Sequence, residues 1–230
     1  MSGYPELKEA MQTAEGPAIS RAEFPEIRED RAFLAFKRVF DVVSAVLILF
    51  LFLPVIPVII LLIKLDSPGP ILFRQKRVGR GGREFDFYKF RSMFVGAENV
   101  IGALRPLSGV DGPHFKLKED PRVTRVGRFL RRSSLDELPQ LLNVIKGDMS
   151  MVGPRPNLPS EVSQYLPWQR RRLDVTPGIT CFWQISGRSH IGFQEWMRLD
   201  LEYIRQRSLL TDLKIILKTI PAVIARKGAY

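Results

Sequence analysis

The sequence runs to 230 residues, 45% hydrophobic and 26% charged, with one cysteine, two histidines and a net charge of +11. That composition excludes collagen-like, low-complexity and disulfide-stapled secreted classes; the single Cys181 fits a reducing cytosol, and with two distant histidines and no second thiol a zinc site lacks ligands. Residues 1–36 hold four basic and seven acidic groups, so the remainder holds 31 and 17, and a body with an excess of +14 seeks nucleic acid, anionic lipid or phosphorylated substrates.

Residues 1–35 read as a mobile acidic arm interrupted by prolines, with nothing in it that suggests chemistry. Between Asp41 and Lys64 run 22 residues whose only polar member is Ser44. As a straight helix they would cover ~33 Å, enough for a ~30 Å hydrocarbon core, and a soluble core helix would have no polar face left for water. Pro54 and Pro57 interrupt the run, so a kink or break is expected. Lys37 and Arg38 precede it and Lys64, Arg74, Lys76, Arg77 and Arg80 follow, so the positive-inside tendency holds both ends in the cytoplasm. On these features a helix hairpin that enters and leaves by one face and a kinked single pass both stand.

Ile71–Val78 and Glu84–Phe90 read as two strands around Gly79-Arg80-Gly81-Gly82-Arg83, a hairpin turn or a phosphate cradle. Residues 95–118 carry no clear pattern. A basic helix is expected over Arg122–Arg132, with Arg125, Arg128, Arg131 and Arg132 on one side as a solvated face or an anionic docking strip. Another helix follows in Ser133–Ile145, N-capped near Asp136, with Pro139 in its first turn and Gly147 at its end. Ile179–Ile185 reads as a strand. Phe193–Gln206 and Ser208–Ile224 read as helices; the stripe Leu209, Leu210, Leu213, Ile216, Leu217, Ile220 and Ile224 serves core packing or an interfacial face. The fold class is therefore α/β, mostly helical with a small β-hairpin or sheet.

Asp136-Glu137 are the best catalytic candidates. A carboxylate in a first helical turn is most often a cap, but one kept ionised by free N–H groups also suits a metal ligand or an anionic nucleophile. Lys89, Arg91, Arg132 and Arg155 could neutralise a diphosphate beside these acids, and carboxylates with guanidinium groups and Mg²⁺ are what phosphoryl transfer needs. No P-loop, G-x-G-x-x-G, kinase set or G-x-S-x-G elbow is present. A membrane-tethered nucleic-acid binder is the other class a basic body allows, but no helix-turn-helix, RRM or zinc signature supports it.

A series of ordered motifs resembles the bacterial sugar transferases, the monotopic polyprenyl-phosphate phosphoglycosyl transferases. It begins with Phe36-Lys37-Arg38-Val39-Phe40-Asp41, Lys89-Phe90-Arg91-Ser92-Met93 and Asp120-Pro121-Arg122-Val123-Thr124. It continues through Leu135-Asp136-Glu137-Leu138-Pro139-Gln140, Lys146-Gly147-Asp148-Met149-Ser150, Val152-Gly153-Pro154-Arg155-Pro156, Pro177-Gly178-Ile179-Thr180 and Gln184-Ile185-Ser186-Gly187-Arg188. The ending looks most like the exopolysaccharide branch that loads galactose phosphate. The resemblance implies a re-entrant membrane helix over residues 36–66, a catalytic domain over 67–230 with interfacial amphipathic helices, and residence on the cytoplasmic face of the bacterial inner membrane. It also implies transfer of a hexose-1-phosphate, galactose or glucose, from a UDP-sugar to undecaprenyl phosphate, releasing UMP and starting an exopolysaccharide or surface glycan. In that scheme Asp136 is the nucleophile and a ligand of Mg²⁺, Glu137 its partner acid, and Lys89, Arg91, Arg155 and Asp200 bind substrate; Arg132 joins the substrate-binding set on its charge near the acids alone. Membrane lipids are partners, nucleic acid is not, and a homo-oligomer is left open. Family members often break the membrane helix at one Ser-Pro, where this sequence has Leu53-Pro54 and Ile56-Pro57.

Overall fold

Asp30 starts the first helix by accepting from the Ala32 N–H at 2.9 Å, and from there the computed structural model describes residues 30–109, 112–115, 117, 119–186 and 191–224. Most of the expected arm, the Gly187-Arg188 motif and the final six residues lie outside the described residues. Helix α1 (Arg31–Phe52) begins inside the segment read as arm, and α2 (Ile56–Asp66) follows after a break over Leu53–Val55. Pro54 sits in that break, while Pro57 occupies the first turn of α2, where no N–H is needed. The two helices meet at 66°; among the described residues no single helix is long and apolar enough to cross a membrane, and only this bent pair passes on length and composition together. Ala45, Ile59 and Ile63 are buried, whereas Phe50, Leu51, Leu61 and Leu65 are among many large side chains of the pair left exposed.

Both ends of the pair are fastened to the same body. From α1, Lys37 Nζ reaches Asp212 Oδ2 at 2.5 Å and the Val152 carbonyl at 3.1 Å, and Asp41 Oδ1 accepts from the Met151 N–H at 3.0 Å. Arg38 donates to the carbonyls of Val144 and Ile145. At the far end Asp66 Oδ2 accepts from the Val126 N–H at 3.0 Å, capping the next helix together with Thr124 Oγ1, which accepts from Gly127. Gly127 is needed there because a Cβ would collide with the Ser92 carbonyl.

Strands β1 (Leu72–Val78) and β2 (Glu84–Phe90) form the expected antiparallel hairpin, Leu72 opposite Phe90 and Val78 opposite Glu84. Single turns of helix follow around residues 97–107. The basic helix α3 spans only Arg125–Arg132, because Arg122 is held in the preceding turn by the Asp120 carboxylate. Helix α4 covers Gln140–Lys146 and ends at Gly147, whose N–H meets the Asn143 and Val144 carbonyls. Asn143 of α4 is fully buried and clasps β2: its Nδ2 donates to the Asp86 carbonyl at 2.7 Å, and its Oδ1 accepts from the Tyr88 N–H at 3.2 Å.

The expected strand over Ile179–Ile185 is corrected. Strand β4 is only Gly178–Thr180, parallel to β3 (Ser150–Val152), and Phe182–Ile185 is a helical turn. The partner strand leaves at Gly153-Pro154, so nothing remains for the chain beyond Thr180 to pair with. Helices α5 (Phe193–Gln206) and α6 (Leu209–Ile224) form where the periodicity places them. In α6 the leucine stripe is turned outward: Leu210, Leu213, Leu217 and Ile220 are exposed, while Asp212 and Ile215 are buried. A polar face goes inside because it is paired, Asp212 with Lys37 and with Tyr203 Oη at 2.9 Å, and Thr219 with Thr180 at 2.7 Å.

Candidate active site

Asp136 and Glu137 lie in a 3₁₀ turn, Leu135–Glu137, and not at an α-helical N-cap. Ser134 enters that turn with φ 56°, an uncommon conformation for a residue with a side chain, and α4 starts only after Pro139, which has no N–H to give to an earlier bond. The 3₁₀ turn has an electrostatic consequence. Asp136 is 4% exposed, and burial, reinforced by the neighbouring Glu137 charge and opposed by Lys89, raises its pKa above the usual carboxylate range. A cap would have lowered it. Burial acts on Glu137 in the same sense, but Arg155 and Lys89 outweigh it and hold Glu137 far below that range. Neighbouring acids with opposite displacements are the arrangement in which one carboxylate can serve as a basic nucleophile and the other as a fixed charge.

The cations are positioned from three directions. Lys89 Nζ lies 3.0 Å from Glu137 Oε1 and 3.4 Å from Asp136 Oδ2. Arg155 forms a fork on Glu137, Nη2 to Oε1 at 2.5 Å and Nη1 to Oε2 at 3.2 Å. Its loop is pinned by Gly178 N–H on the Pro154 carbonyl at 2.9 Å and by Arg172 Nη2 on the Arg155 carbonyl at 2.8 Å. Arg131 is the member of α3 that turns inward: it donates to Ser92 Oγ at 2.9 Å, burial lowers its pKa, and the nearby charge of Asp136 works against that.

Of the residues named from sequence, Asp136, Glu137, Lys89 and Arg155 come together. Arg132 does not; it is exposed on the outer face of α3 with Arg125 and Arg128. Asp200 sits one layer behind, paired with Arg172 at 2.6 Å, its carboxyl pushed by burial up to about 6 against the pull of Arg172. Arg91 is spent elsewhere. Its guanidinium donates to the carbonyls of Ile63, Ser67 and Pro68 and closes the end of α2. Gly69, at φ 122°, leaves the room that Arg91 fills, since a Cβ there would collide with it. Arg91→Gln should therefore cost about 2–4 kcal/mol of stability by stranding these helix-end carbonyls, read by denaturant unfolding of the full chain in neutral detergent. A loss below about 1 kcal/mol would show that the contacts carry little.

Sequence reasoning missed Phe87. Its ring, 2% exposed, carries Arg77 at 5.4 Å, Lys89 at 5.8 Å and Arg155 at 5.9 Å, a platform for the cations that face the acids. The signal was present, because Phe85, Phe87 and Lys89 alternate along one face of β2. Arg131 was read only as one arginine of a strip; its inward turn depends on where α3 packs.

The comparisons with known proteins identify the family. The family description "Bacterial sugar transferase" matches residues 32–226. The chain is 51% identical over 162 residues to "Galactosyl transferase CpsE" of Streptococcus agalactiae, covering 70% of this chain and 36% of that protein. It is 44% identical over 204 residues to "UDP-glucose:undecaprenyl-phosphate glucose-1-phosphate transferase" of Caulobacter vibrioides, covering 84% and 72%. With "Exopolysaccharide production protein ExoY" of Rhizobium meliloti it shares 38% identity over 228 residues, 97% of this chain and 100% of that protein. The chain thus spans about a third of the streptococcal relative and the whole of the rhizobial one. A family match across nearly the entire described chain, over a body whose buried acid pair is ringed by Lys89, Arg131 and Arg155, places this protein in the bacterial sugar transferase family.

Proposed function

We propose that the protein transfers a hexose-1-phosphate from a UDP-sugar to undecaprenyl phosphate through a covalent phosphosugar on Asp136. The observation that carries this reading is the divided acid pair: a buried Asp136 with raised proton affinity, beside a Glu137 locked by Arg155 and Lys89. An Asp136 oxygen attacks the phosphorus nearer the sugar; the O–P bond to it forms as the phosphoanhydride bond breaks, and UMP carries away the electron pair. A lipid phosphate oxygen then attacks the same phosphorus and returns the Asp136 carboxylate. Lys89, Arg155 and Arg131 balance charge that shifts between the acids and the phosphates. Glu137 keeps Lys89 and Arg155 at the site when no diphosphate is there. Donor and acceptor use one site in turn, so the kinetics should be ping-pong.

The oxygen-rich acid pair fits Mg²⁺ of the kind completed by substrate phosphates and water. Among the described residues no three His, Cys, Asp or Glu side chains converge to cage an ion by themselves. Asp136 would hold the ion, and Mg²⁺ supplies charge neutralisation of the diphosphate. EDTA with dialysis should stop UMP release, and Mg²⁺ or Mn²⁺ should restore it better than Ca²⁺; full activity after EDTA would remove the ion from the scheme.

The bent pair α1–α2 is proposed as a re-entrant membrane hairpin, supported by the attachment of both its ends to one body and by its exposed apolar surface. The outward leucines of α6, with Lys214 and Lys218, supply a second apolar and basic surface suited to lying in the bilayer interface on the cytoplasmic side. A lipid phosphate acceptor that cannot leave the bilayer requires such placement.

The reading is tested by UMP release over a panel of UDP-sugars with undecaprenyl phosphate in micelles. Release with UDP-galactose or UDP-glucose that depends on lipid phosphate supports it, and its absence with every UDP-sugar overturns it. The pH profile gives a finer test. Asp136 must be ionised to attack and its pKa is raised, so the UMP burst should decline on acidification at higher pH than for an exposed carboxylate. Glu137→Gln removes a like charge and leaves Lys89 and Arg155 to Asp136, so the acid limb should move to lower pH. A limb that stays put, or moves up, contradicts the assignment of Asp136 as the titrating group.

A further inference from the structure

At the other end of α4 lies a cavity of about 190 Å³ that the transfer reaction does not use. The seven residues of α4 separate it from the 3₁₀ turn of the acids by about 10 Å of helix. Its wall carries Lys37 and Arg38 of α1, Arg80 of the β1–β2 turn and Arg207 of the α5–α6 connection, with Asp41 as the one carboxylate among the described lining residues. Lys37 is engaged with Asp212 and lies 3.8 Å from Asp41. Arg38 rests on the Val144 and Ile145 carbonyls, which carry no net charge. Asp212 lies behind the wall as the partner of Lys37, and Arg80 has interactions of its own. The guanidinium of Arg207 stacks 5.8 Å from the Phe33 ring, and its Nη2 is buried without a hydrogen-bond partner among the described residues. A buried orphan donor of this kind is costly unless something accepts from it.

The glycine turn also gains a role here. The N–H groups of Gly79, Gly82 and Arg83 are bonded inside the turn, which favours the hairpin-turn reading over the phosphate cradle. The turn instead places Arg80 among the residues that line the cavity.

We propose that this cavity is a second anion site, separate from the acid pair, that takes a phosphate group. Guanidinium groups from three elements suit the several oxygens of a phosphate, and a bound phosphate would accept from the orphan Arg207 Nη2 and tie α1, the hairpin turn and the α5–α6 connection together. Inorganic phosphate and a lipid headgroup both present this chemistry, and the test separates the two.

Hydrogen exchange of the full chain is followed in nanodiscs, comparing the cavity segments 147–150 and 175–176 with the catalytic segment 134–139. In phosphatidylcholine discs, millimolar inorganic phosphate should slow exchange in the cavity segments about tenfold, and sodium chloride at equal ionic strength should not. Arg207→Gln, and separately the exposed turn variant Arg80→Gln, should remove this protection. Either variant that keeps the wild-type melting temperature without phosphate serves, so a folding failure in one leaves the other. Phosphatidylglycerol discs without added phosphate give the other arm. Protection there assigns the site to a lipid headgroup, and protection only with added phosphate assigns it to a free one. Equal protection by chloride, protection confined to 134–139, or protection in neither arm overturns the proposal.

Discussion

Asp136→Asn should reduce UMP release by about 10³-fold or more while leaving the protein folded. In the proposed mechanism the carboxylate is the attacking group, and Asn offers an amide of the same shape that cannot form a stable phosphoryl adduct. Intact mass spectrometry of the wild type after UDP-sugar alone should show a phosphohexose adduct, absent from the variant. The thermal midpoint should stay level or rise, because burial disfavours the ionised form of Asp136 and a neutral amide escapes that penalty. Substantial turnover in a folded Asp136→Asn protein, or no phosphohexose adduct on the wild type, would remove Asp136 from the role of nucleophile.

The second large effect is topological. Pro54→Leu with Pro57→Leu restores the backbone donors missing at the break and should fuse α1 and α2 into one helix, with a 22-residue run in its middle whose only polar member is Ser44. A straight helix cannot keep both ends on one body. Either Lys37–Asp212 and Arg38 on α4, or Asp66 on α3 and Arg91 on the end of α2, must let go. Activity should fall at least about tenfold although no residue near the acids has changed, since a shift of about 1 Å in positioning already costs that much or more. In a Cys181→Ser, Ser20→Cys background, an impermeant maleimide applied to intact cells should miss the arm when both prolines are present and label it in the double-leucine variant. Strong labelling with the prolines in place would mean that the segment spans the membrane, and the hairpin reading would fall.

How much of this was legible beforehand differs from element to element. The β1–β2 hairpin was read nearly to the residue, because alternation around a glycine turn is a local signal. So was the end of α4 at Gly147, where the last helical carbonyls need a left-handed residue. The strand expected over Ile179–Ile185 failed because strand length depends on the partner, and β3 stops at Val152. Arg91 and Arg132 stand within a few residues of Lys89 and Arg131, and composition cannot tell a guanidinium on helix carbonyls or in water from one beside a carboxylate. The leucine stripe of α6 left core packing and an outward face both open: a hydrophobic pattern marks a face but not what covers it, and here a paired Asp212 took the inside.

The sequence by itself determined the class of chemistry and the local grammar. An adjacent acid pair amid arginines, an apolar run broken by prolines and a basic body are properties of neighbouring residues, and motif order pointed to the family. The tertiary structure alone decided which charges meet. It split Asp136 from Glu137 electrostatically, because Arg155 arrives from a loop 18 residues away and takes both oxygens of Glu137, while Asp136 meets burial and the 3.4 Å reach of Lys89. It also decided that α1 and α2 share one anchor, through pairs such as Lys37–Asp212 that lie 175 residues apart. Coulombic interaction and desolvation depend on distance and surroundings in space, and no spacing along the chain encodes them.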